Sequence, residues 1–361
     1  MKRMLIATTA ILLGTAAVNH PADATVNFTT FVTGADIAAN EGGNQSTIAF
    51  NYTGTGFVGS VYFGPDNNRL YSTDLNGGNV APFGQPIPGF SGEVVVGVGL
   101  GQSGFAKGAV YAGNGSGNQI FLVPSSGAPV LFGVTLQSEN IRQIFFDPGS
   151  TFGGKMLVTT NLGNIYSFNA AGTPTLIANV GEDTEGMDIA GSKYGQYAGQ
   201  LLVASEGSGK IRAITPGGTV TTLDIRNSLN NPATITEAET VSVVPLDLGA
   251  SGDPVEGFYV ANYAVDIQKA DASQFGASLL GDAIVTSEEG SNSQIWDLAY
   301  NGDAANTFTL SEIGNLPNQS EDGIFVTAQR IEHLTTPEPA SLLLLGTGLG
   351  ALGLLARRRR D

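Results

Sequence analysis

Five glutamates recur at the starts of β-rich segments, and as a set they are the residues of this sequence best suited to chemistry. They are Glu93 in GEVVVGV, Glu139 in ENIRQIFF, Glu185 in EGMDIA, Glu239 in ETVSVVP and Glu321 in EDGIFVT. The first three are separated by 46 residues in each step. Carboxylates that share a small space either protonate or collect a cation. Oxygen ligands favour Ca²⁺ or Mg²⁺ over zinc, so the series predicts a divalent-cation site if the fold brings its members together.

A longer repeat indicates which elements position these glutamates. A β-rich run, a Gly/Asn/Ser turn and a second β-rich run recur at 109–132, 156–177, 201–223 and 283–310, with a weaker copy at 60–83. Ile120, Ile165 and Ile211 begin equivalent strands, at separations of 45 and 46 residues. Units of this length with three or four short strands are typical of β-propeller blades. We therefore predict an all-β fold, a β-propeller of six blades, with five to seven as the range.

Two features of the repeat leave details of the ring open. The spacing doubles between Leu201 and Ala283, which indicates either an extra blade near Phe258–Val265 or a long insertion over Asp266–Gly281. The strand-like segments Phe28–Val32 and Ile324–Leu334 lie at opposite ends of the body, and their pairing would close the ring. A β-solenoid would have shorter repeats, and a two-sheet sandwich would lack the long period.

In such a propeller, the opening strand of each blade lines the central channel, so the five glutamates are expected to converge on one face of the ring. Three interpretations stay open. The glutamates accept hydrogen bonds from neighbouring blades or lie solvated at the rim, they bind a divalent cation such as Ca²⁺, or they hold a catalytic metal.

Composition excludes several classes of function. The formal net charge is −16, and such an acidic surface repels nucleic acid. The chain has no cysteine, which removes thiol nucleophiles, thiolate zinc sites and iron–sulfur clusters. Of the two histidines, His20 lies in the N-terminal leader and His333 lies next to the C-terminal tail. We predict no catalytic residues of the Ser-His-Asp kind, and favour a protein that is not an enzyme.

The N-terminal residues 1–24 have the pattern of a secretory signal peptide. Lys2 and Arg3 form a positive start, Met4–Val18 is apolar, and Ala22 and Ala24 give the small-x-small cleavage signature. Cleavage after Ala24 would leave a propeller over residues 25–335. A membrane anchor is the alternative, but the apolar run is short for a stable span.

The C-terminal residues 336–361 combine a short motif, an apolar run and a basic cluster. Pro337, Glu338 and Pro339 precede the apolar run Leu342–Ala356, and Arg357, Arg358, Arg359 and Arg360 follow it. A helix of this length reaches about 23 Å, short of the roughly 30 Å hydrocarbon core. The arginines would stay on the cytoplasmic side. The tail therefore predicts transient insertion in the inner membrane until a processing enzyme cuts it; a permanent anchor is the alternative.

This tail resembles the PEP-CTERM sorting signal of Gram-negative bacteria, which is thought to be processed by an exosortase. The resemblance implies that Pro337, Glu338 and Pro339 are the recognition motif and that Arg357 to Arg360 are the retention charges. It implies a surface or extracellular location, and it covers only about 25 residues. The phrase Glu185–Ala190 is loosely similar to strand openings in six-bladed NHL-type and gluconolactonase-like propellers, whose lactonases hold one axial divalent ion.

The sequence thus favours an exported, non-enzymatic propeller that presents its loops to exopolysaccharide or to a cell-surface protein in a biofilm matrix. The alternative is a metal-dependent lactonase or esterase centred on the axial carboxylates. A purely structural envelope protein without a small ligand is a third interpretation.

Overall fold

The computed structural model describes residues 25–64, 68–133, 136 and 138–336, and these form a closed ring of six sheets, antiparallel apart from one added edge strand. The ring confirms the predicted six-bladed propeller. The innermost strands of neighbouring sheets contact one another all the way around the ring.

The first four blades follow the chain in order, each with its first strand innermost. Strand β1 (Thr29–Thr33) and helix α1 (Gly34–Asn40) precede them. Blade one has β2 (Thr47–Tyr52), β3 (Phe57–Val61), β4 (Leu70–Thr73) and β5 (Ala81–Phe83). Blade two has β6 (Val94–Val98), β7 (Val110–Asn114), β8 (Ile120–Val123) and β9 (Val130–Leu131). Blade three has β10 (Ile141–Phe146), β11 (Met156–Thr160), β12 (Asn164–Phe168) and β13 (Pro174–Asn179). Blade four has β14 (Met187–Ile189), β15 (Leu201–Ser205), β16 (Lys210–Ile214) and β17 (Val220–Thr222).

The last two blades are interleaved along the chain. Their strands are β18 (Ile225–Arg226), β19 (Ala238–Val243), β20 (Gly257–Asn262), β21 (Asp266–Asp271), β22 (Ala283–Ser287), β23 (Gln294–Tyr300), β24 (Phe308–Asn315) and β25 (Ser320–Val326). Blade five has the order β19-β22-β23-β24, with β18 added in parallel at its outer edge. Blade six has the order β25-β20-β21-β1. The doubled repeat spacing therefore has its cause in the hairpin β20–β21, which is half of the sixth blade.

Ring closure differs in detail from the prediction. Strands β1 and β25 are the outermost and innermost strands of blade six, and they do not pair with each other. The segment Ile324–Leu334 is a strand only as far as Val326 and continues as helix α2 (Ala328–Thr335). The side chain of Thr327 accepts a hydrogen bond from the Arg330 backbone N–H and so caps this helix, which is why the extended chain ends there.

Burial of the strands follows their place in the blades. The second strand of every blade is fully buried, and the fourth strands β5, β9 and β17 are largely exposed. A second strand has a neighbouring blade on each face, so its sequence is continuously apolar or small rather than alternating. Close packing depends on glycine in places: a Cβ atom on Gly97 of β6 would lie 2.4 Å from Ile144 of β10 in the next blade.

Two short 3₁₀ helices, Ser192–Tyr197 and Ala272–Gln274, complete the described elements. In the described part of the chain, no helix is both long and apolar enough to span a membrane. The predicted signal peptide, with Ala22 and Ala24, and the predicted tail helix Leu342–Ala356 lie outside the described residues.

Candidate functional site

The candidate site is the end of the central channel where the innermost strands begin. Four of the five predicted glutamates line one small cavity of about 20 Å³ at this point, and we call Glu93, Glu185, Glu239 and Glu321 the hub carboxylates. They come from blades two, four, five and six. A cavity of this size has room for about one water molecule or one ion.

Irregular strand pairing near the starts of two inner strands helps to orient the side chains of Glu239 and Glu321 toward the hub cavity. Register shifts occur between Ala238 and Val241 in β19, and in β20 opposite the first residues of β25. A bulge re-aims side chains that would otherwise alternate strictly across the sheet. The shifts lie next to Glu239 and Glu321, each the second residue of its strand.

Arg142, the second residue of β10, brings one positive charge to the hub. Its Nη1 atom lies 2.8 Å from Glu93 Oε2, and its Nη2 atom lies 2.6 Å from Asp183 Oδ2. Its Nε atom lies 3.1 Å from Glu185 Oε1. Burial alone would lower the pKa of Arg142, but the surrounding carboxylates of Glu185, Asp183 and Glu93 raise it above its ordinary value. The guanidinium therefore stays charged and neutralises part of the hub.

Glu239 and Glu321 form no ion pair with Arg142 in the described structure. Their side chains are 9% and 5% exposed, and neither carboxylate has a hydrogen-bond or ion-pair partner among the residues that the structure describes. Burial, together with the neighbouring carboxylates, raises the pKa of both groups well above the ordinary value. A charged carboxylate is costly in such a confined acidic place, and this favours protonation or a bound cation.

Further carboxylates lie beside the hub, in loops of blades four and five. Carboxylate oxygens of Asp183, Glu185 and Glu206 lie within 4.8 Å of one another. Burial raises the pKa of Glu206, and burial with Glu206 and Glu93 nearby raises the pKa of Glu288 to about 7. The hub is therefore an oxygen-rich site of strong negative potential, the kind of donor set that hard divalent cations prefer.

Glu139 is the member of the predicted series that the structure does not bring to the hub. Its Oε1 atom accepts a hydrogen bond from the Tyr166 hydroxyl at 2.7 Å, and its Oε2 atom accepts one from the Thr160 hydroxyl at 2.9 Å. Both donors belong to its own blade, and not to a neighbouring blade as the first interpretation has it, so Glu139 connects strands within blade three. The pairing of β10 with β11 has a register shift between Ile141 and Gln143. In blade three, Arg142 rather than Glu139 therefore lines the hub cavity.

Sequence reasoning missed Arg142, Asp183, Glu206 and Glu288. A signal was present for Arg142, because it is the one basic residue in the inner-strand segment ENIRQIFF. The other three lie in loops, where no periodic pattern indicates proximity. His333 makes polar contacts with Gln102 and with the Pro148 carbonyl in the described structure; it lies on α2 and does not line the hub cavity.

The fold and its hub define this chain as a six-bladed β-propeller with an acidic centre. Its C-terminal residues 335–360 match the family model of the PEP-CTERM protein-sorting motif. The motif implies export, transient anchoring in a membrane and recognition by an exosortase-type processing enzyme. The motif residues Pro337, Glu338 and Pro339 and the arginines 357–360 lie outside the described part of the chain.

Solved structures of similar architecture share little sequence with this chain, and no curated protein sequence matches it. Virginiamycin B lyase from Staphylococcus aureus is 10% identical, with a TM-score of 0.44 over 83% of this chain and 98% of that one. A putative gluconolactonase is 11% identical, with a TM-score of 0.42 over 82% and 94%. A Bacteroides thetaiotaomicron protein of unknown function is 13% identical, with a TM-score of 0.46 over 79% and 63%. No residue role is carried over from these proteins.

Proposed function

We propose that this protein is a non-enzymatic binding component of the surface or extracellular matrix of a Gram-negative bacterium, and that its propeller holds a divalent cation at the hub. A signal peptide over residues 1–24 and a sorting tail over residues 336–361 would deliver the propeller of residues 25–335. The observation that carries the cation is that Glu239 and Glu321, both largely buried, make no side-chain hydrogen bond or ion pair to the described residues and line one small cavity with Glu93 and Glu185.

The charge balance at the hub supports a cation there. Arg142 contacts Glu93 and Glu185 but not the other two hub carboxylates in the described structure. A divalent ion would supply the missing positive charge without a proton. Oxygen ligands and the small cavity fit Ca²⁺ or Mg²⁺, with Glu239 and Glu321 as the groups in need of one. Such an ion would connect blades five and six to the rest of the ring, and would therefore stabilise its closure.

The size of the hub cavity argues for a structural ion rather than a catalytic one. At about 20 Å³ the cavity cannot admit the reacting carbon of a lactone or an ester beside an ion. A metal-dependent lactonase or esterase is the alternative, and the raised pKa of Glu239 is the observation in its favour, because a general acid needs such a shift. Hydrolysis of lactone or ester substrates that requires a divalent ion and is abolished by Glu185→Gln would establish the alternative.

Thermal unfolding of the mature protein tests the cation directly. A ligand that binds only the folded state raises the midpoint, by an amount equivalent to about 2.7 kcal/mol at a concentration of 100 Kd. We expect millimolar CaCl₂ to raise the midpoint relative to EDTA, and Glu239→Gln and Glu321→Gln to remove most of that response. Glu139→Gln is the matched control from the same series and should keep the response. An unchanged midpoint in millimolar Ca²⁺ and Mg²⁺ would rule out the proposed ion.

Sorting is tested separately, in a host that carries an exosortase-type enzyme. Replacement of Pro337, Glu338 and Pro339 by alanine should leave the protein uncleaved and in the membrane fraction, whereas the unaltered protein should reach the surface or the medium. A double variant in which Thr221 and Thr222, exposed residues of β17, become alanine is the control. Equal release of motif variant and unaltered protein would contradict the proposed processing.

A further inference from the structure

A second and larger cavity lies on the same axis, at the end of the channel where the inner strands finish. Its volume is about 540 Å³, within the usual range for small-molecule sites. It is lined by the later residues of β10, β14, β19 and β25, and helix α2 borders it through Gln329 and Arg330. Gln143 and Asp322 line both this cavity and the hub, so the hydrogen bond between their side chains lies between the two.

Arg330 is the cationic group of this cavity, and it is nearly wholly buried. Its Nη1 atom donates to Asn51 Oδ1 at 3.1 Å, the one hydrogen bond that its guanidinium makes to described residues. A guanidinium has five N–H donors, so most of those of Arg330 remain available to a molecule in the cavity. Burial lowers the pKa of Arg330 to about 10, although Asp188 and Asp322 oppose the change, and the group is still charged at neutral pH.

Asp322, which is buried, and Asp188, which is half-buried, are acidic groups of the cavity, and the exposed Asp247 also lines it. Asp188 Oδ2 accepts a hydrogen bond from the Val243 backbone N–H at 2.7 Å, and Asp322 Oδ1 accepts one from Gln143 Nε2 at 3.0 Å. Within the described structure, neither carboxylate lies within ion-pair distance of Arg330. Asp188 Oδ1 also accepts a hydrogen bond from the Ile189 backbone N–H, at 2.7 Å. Burial raises the pKa of Asp188 to about 6 and that of Asp322 to about 7. Acidic and basic groups therefore share one cavity without an ion pair between them in the described structure, and a carboxyl group has more acceptor sites than these bonds use.

This combination selects for neutral hydroxyl groups. Because Arg330 and the carboxyl groups lie in one cavity, a cation or an anion bound there meets a like charge as well as an opposite one. A hydroxyl group satisfies both kinds of partner, since it donates to a carboxylate and accepts from a guanidinium. The apolar side chains of Ile144 and Met187 also line the cavity and can pack against C–H groups.

We propose that this cavity binds a neutral sugar unit through Arg330, Asp188 and Asp322, as a monosaccharide or as the end of a neutral polysaccharide chain. The inference rests on the proposed binding role and assigns it a ligand class and a place. It is separate from the cation at the hub, which lies at the other end of the inner strands.

Titration of the mature protein with methyl glycosides of glucose, mannose and galactose, followed by calorimetry and by saturation-transfer NMR, tests this site. At least one neutral glycoside is expected to bind, and Asp188→Asn and Arg330→Gln should each weaken it at least tenfold. Asp271→Asn, an exposed carboxylate of β21, should leave the affinity unchanged. Asp322→Asn is a second variant in case the substitution of the buried arginine prevents folding, and near-UV circular dichroism monitors the fold of each variant.

Charged sugars provide the opposing arm of the experiment. Glucuronate and glucosamine should bind more weakly than the neutral glycoside of the same ring. Tighter binding of either charged sugar, or no binding of any neutral glycoside, would overturn the proposal. The titrations are run in EDTA and in CaCl₂, while the cation response of the unfolding midpoint is measured without sugar. Failure of the sugar site and failure of the cation site therefore give different results.

Discussion

Arg142 and Glu185 form an ion pair at the hub, with the Arg142 Nε atom 3.1 Å from Glu185 Oε1, although they belong to strand segments of different blades. The same guanidinium contacts Glu93 and Asp183, so one side chain connects residues from blades two, three and four. The pair joins neighbouring blades at the point where their inner strands converge. Its removal leaves three carboxylates close together without a counter-charge.

We therefore predict that Arg142→Met destabilises the propeller strongly. Breaking a buried ion pair from one side costs about 3–5 kcal/mol, and the partial exposure of Arg142 places the expected loss near the lower end, at about 3 kcal/mol. The loss should be smaller in CaCl₂ than in EDTA, because a cation can replace part of the missing charge. Chemical denaturation in both buffers measures the free energy of unfolding.

Arg226→Met is the matched control for this substitution. Arg226 pairs with Asp224 at 2.8 Å, but both side chains are well exposed, and such pairs contribute about 0–1 kcal/mol. If Arg142→Met and Arg226→Met lower the free energy of unfolding by the same amount, the hub ion pair does not stabilise the ring more than an exposed pair does.

The architecture of blades one to four could be predicted because each blade is encoded locally. Strands, turns and the separations of Ile120, Ile165 and Ile211 lie within one repeat and need no distant partner. The interleaving of blades five and six could not be predicted in this way. The hairpin β20–β21 has ordinary strand signals, but its sheet is decided by pairing of β20 with β25, more than fifty residues later in the chain.

The candidate site likewise could be predicted only as far as it depends on residues that are close together in the sequence. The position of the glutamates at the starts of β-rich segments predicts a shared site, and four of the five line one cavity in the structure. That position could not distinguish Glu139, since Tyr166 and Thr160, which bind its carboxylate, are in other strands of its blade. The larger cavity with Arg330 was not foreseen, because the segment Ile324–Leu334 was interpreted as a strand and a strand would not place Arg330 at the channel mouth.

A second prediction follows from the structural role of Glu139. Glu139→Gln removes a carboxylate that accepts two hydroxyl hydrogen bonds inside blade three, and hydrogen bonds to charged groups contribute about 1.5–3 kcal/mol. The variant should be destabilised by about that amount in EDTA. Glu239→Gln should instead be neutral or stabilising in EDTA, because without a cation the carboxyl group must take up a proton or bear an uncompensated charge, whereas the amide needs neither. A destabilisation of both variants to the same extent would contradict the assigned roles.

A third prediction concerns the closest approach of two inner strands at the hub. A Cβ atom on Gly186, directly before β14, would lie 2.4 Å from Thr240 Cα and 2.7 Å from the Glu239 carbonyl oxygen. Gly186→Ala must therefore push β14 and β19 apart, and overpacking of this kind costs about 1–3 kcal/mol. Denaturant unfolding should show the loss, and Gly276→Ala should show none, because no atom lies within 4 Å of its added Cβ.

The Gly186→Ala variant also tests the hub itself. The Gly186 backbone N–H donates to the Glu239 carbonyl at 2.7 Å, and separation of the strands would weaken this bond and enlarge the cavity. We expect a smaller rise of the unfolding midpoint in CaCl₂ than in the unaltered protein. An unchanged response would show that the cation, if it binds, does not depend on the contact between β14 and β19.

The fourth prediction is a pH dependence that arises in blade five, away from the hub. Asp297 of β23 is 4% exposed. Burial and the nearby carboxylate of Asp282 raise its pKa to about 8, although the positive charge of Lys193 acts to lower it. Its Oδ1 atom has no hydrogen-bond partner in the described structure. The folded protein thus keeps a proton here that the unfolded chain loses near pH 4. Unfolding releases this proton, so the free energy of unfolding decreases as the pH rises from about 4 to about 8.

Asp297→Asn imitates the protonated group at every pH, so it should remove this contribution. We expect the variant to be close to the unaltered protein at about pH 4 and more stable at about pH 9, where the unaltered protein must bury a charge. Denaturant unfolding at several pH values measures the difference in free energy of unfolding between the variant and the unaltered protein. Other groups with raised pKa values are present in both proteins, so their contributions cancel in this difference. Glu312→Gln, an exposed carboxylate on β24 of the same blade, should give a flat difference. Parallel pH profiles for Asp297→Asn and the unaltered protein would mean that Asp297 is charged in the folded state, with Lys193 as the cation that compensates it.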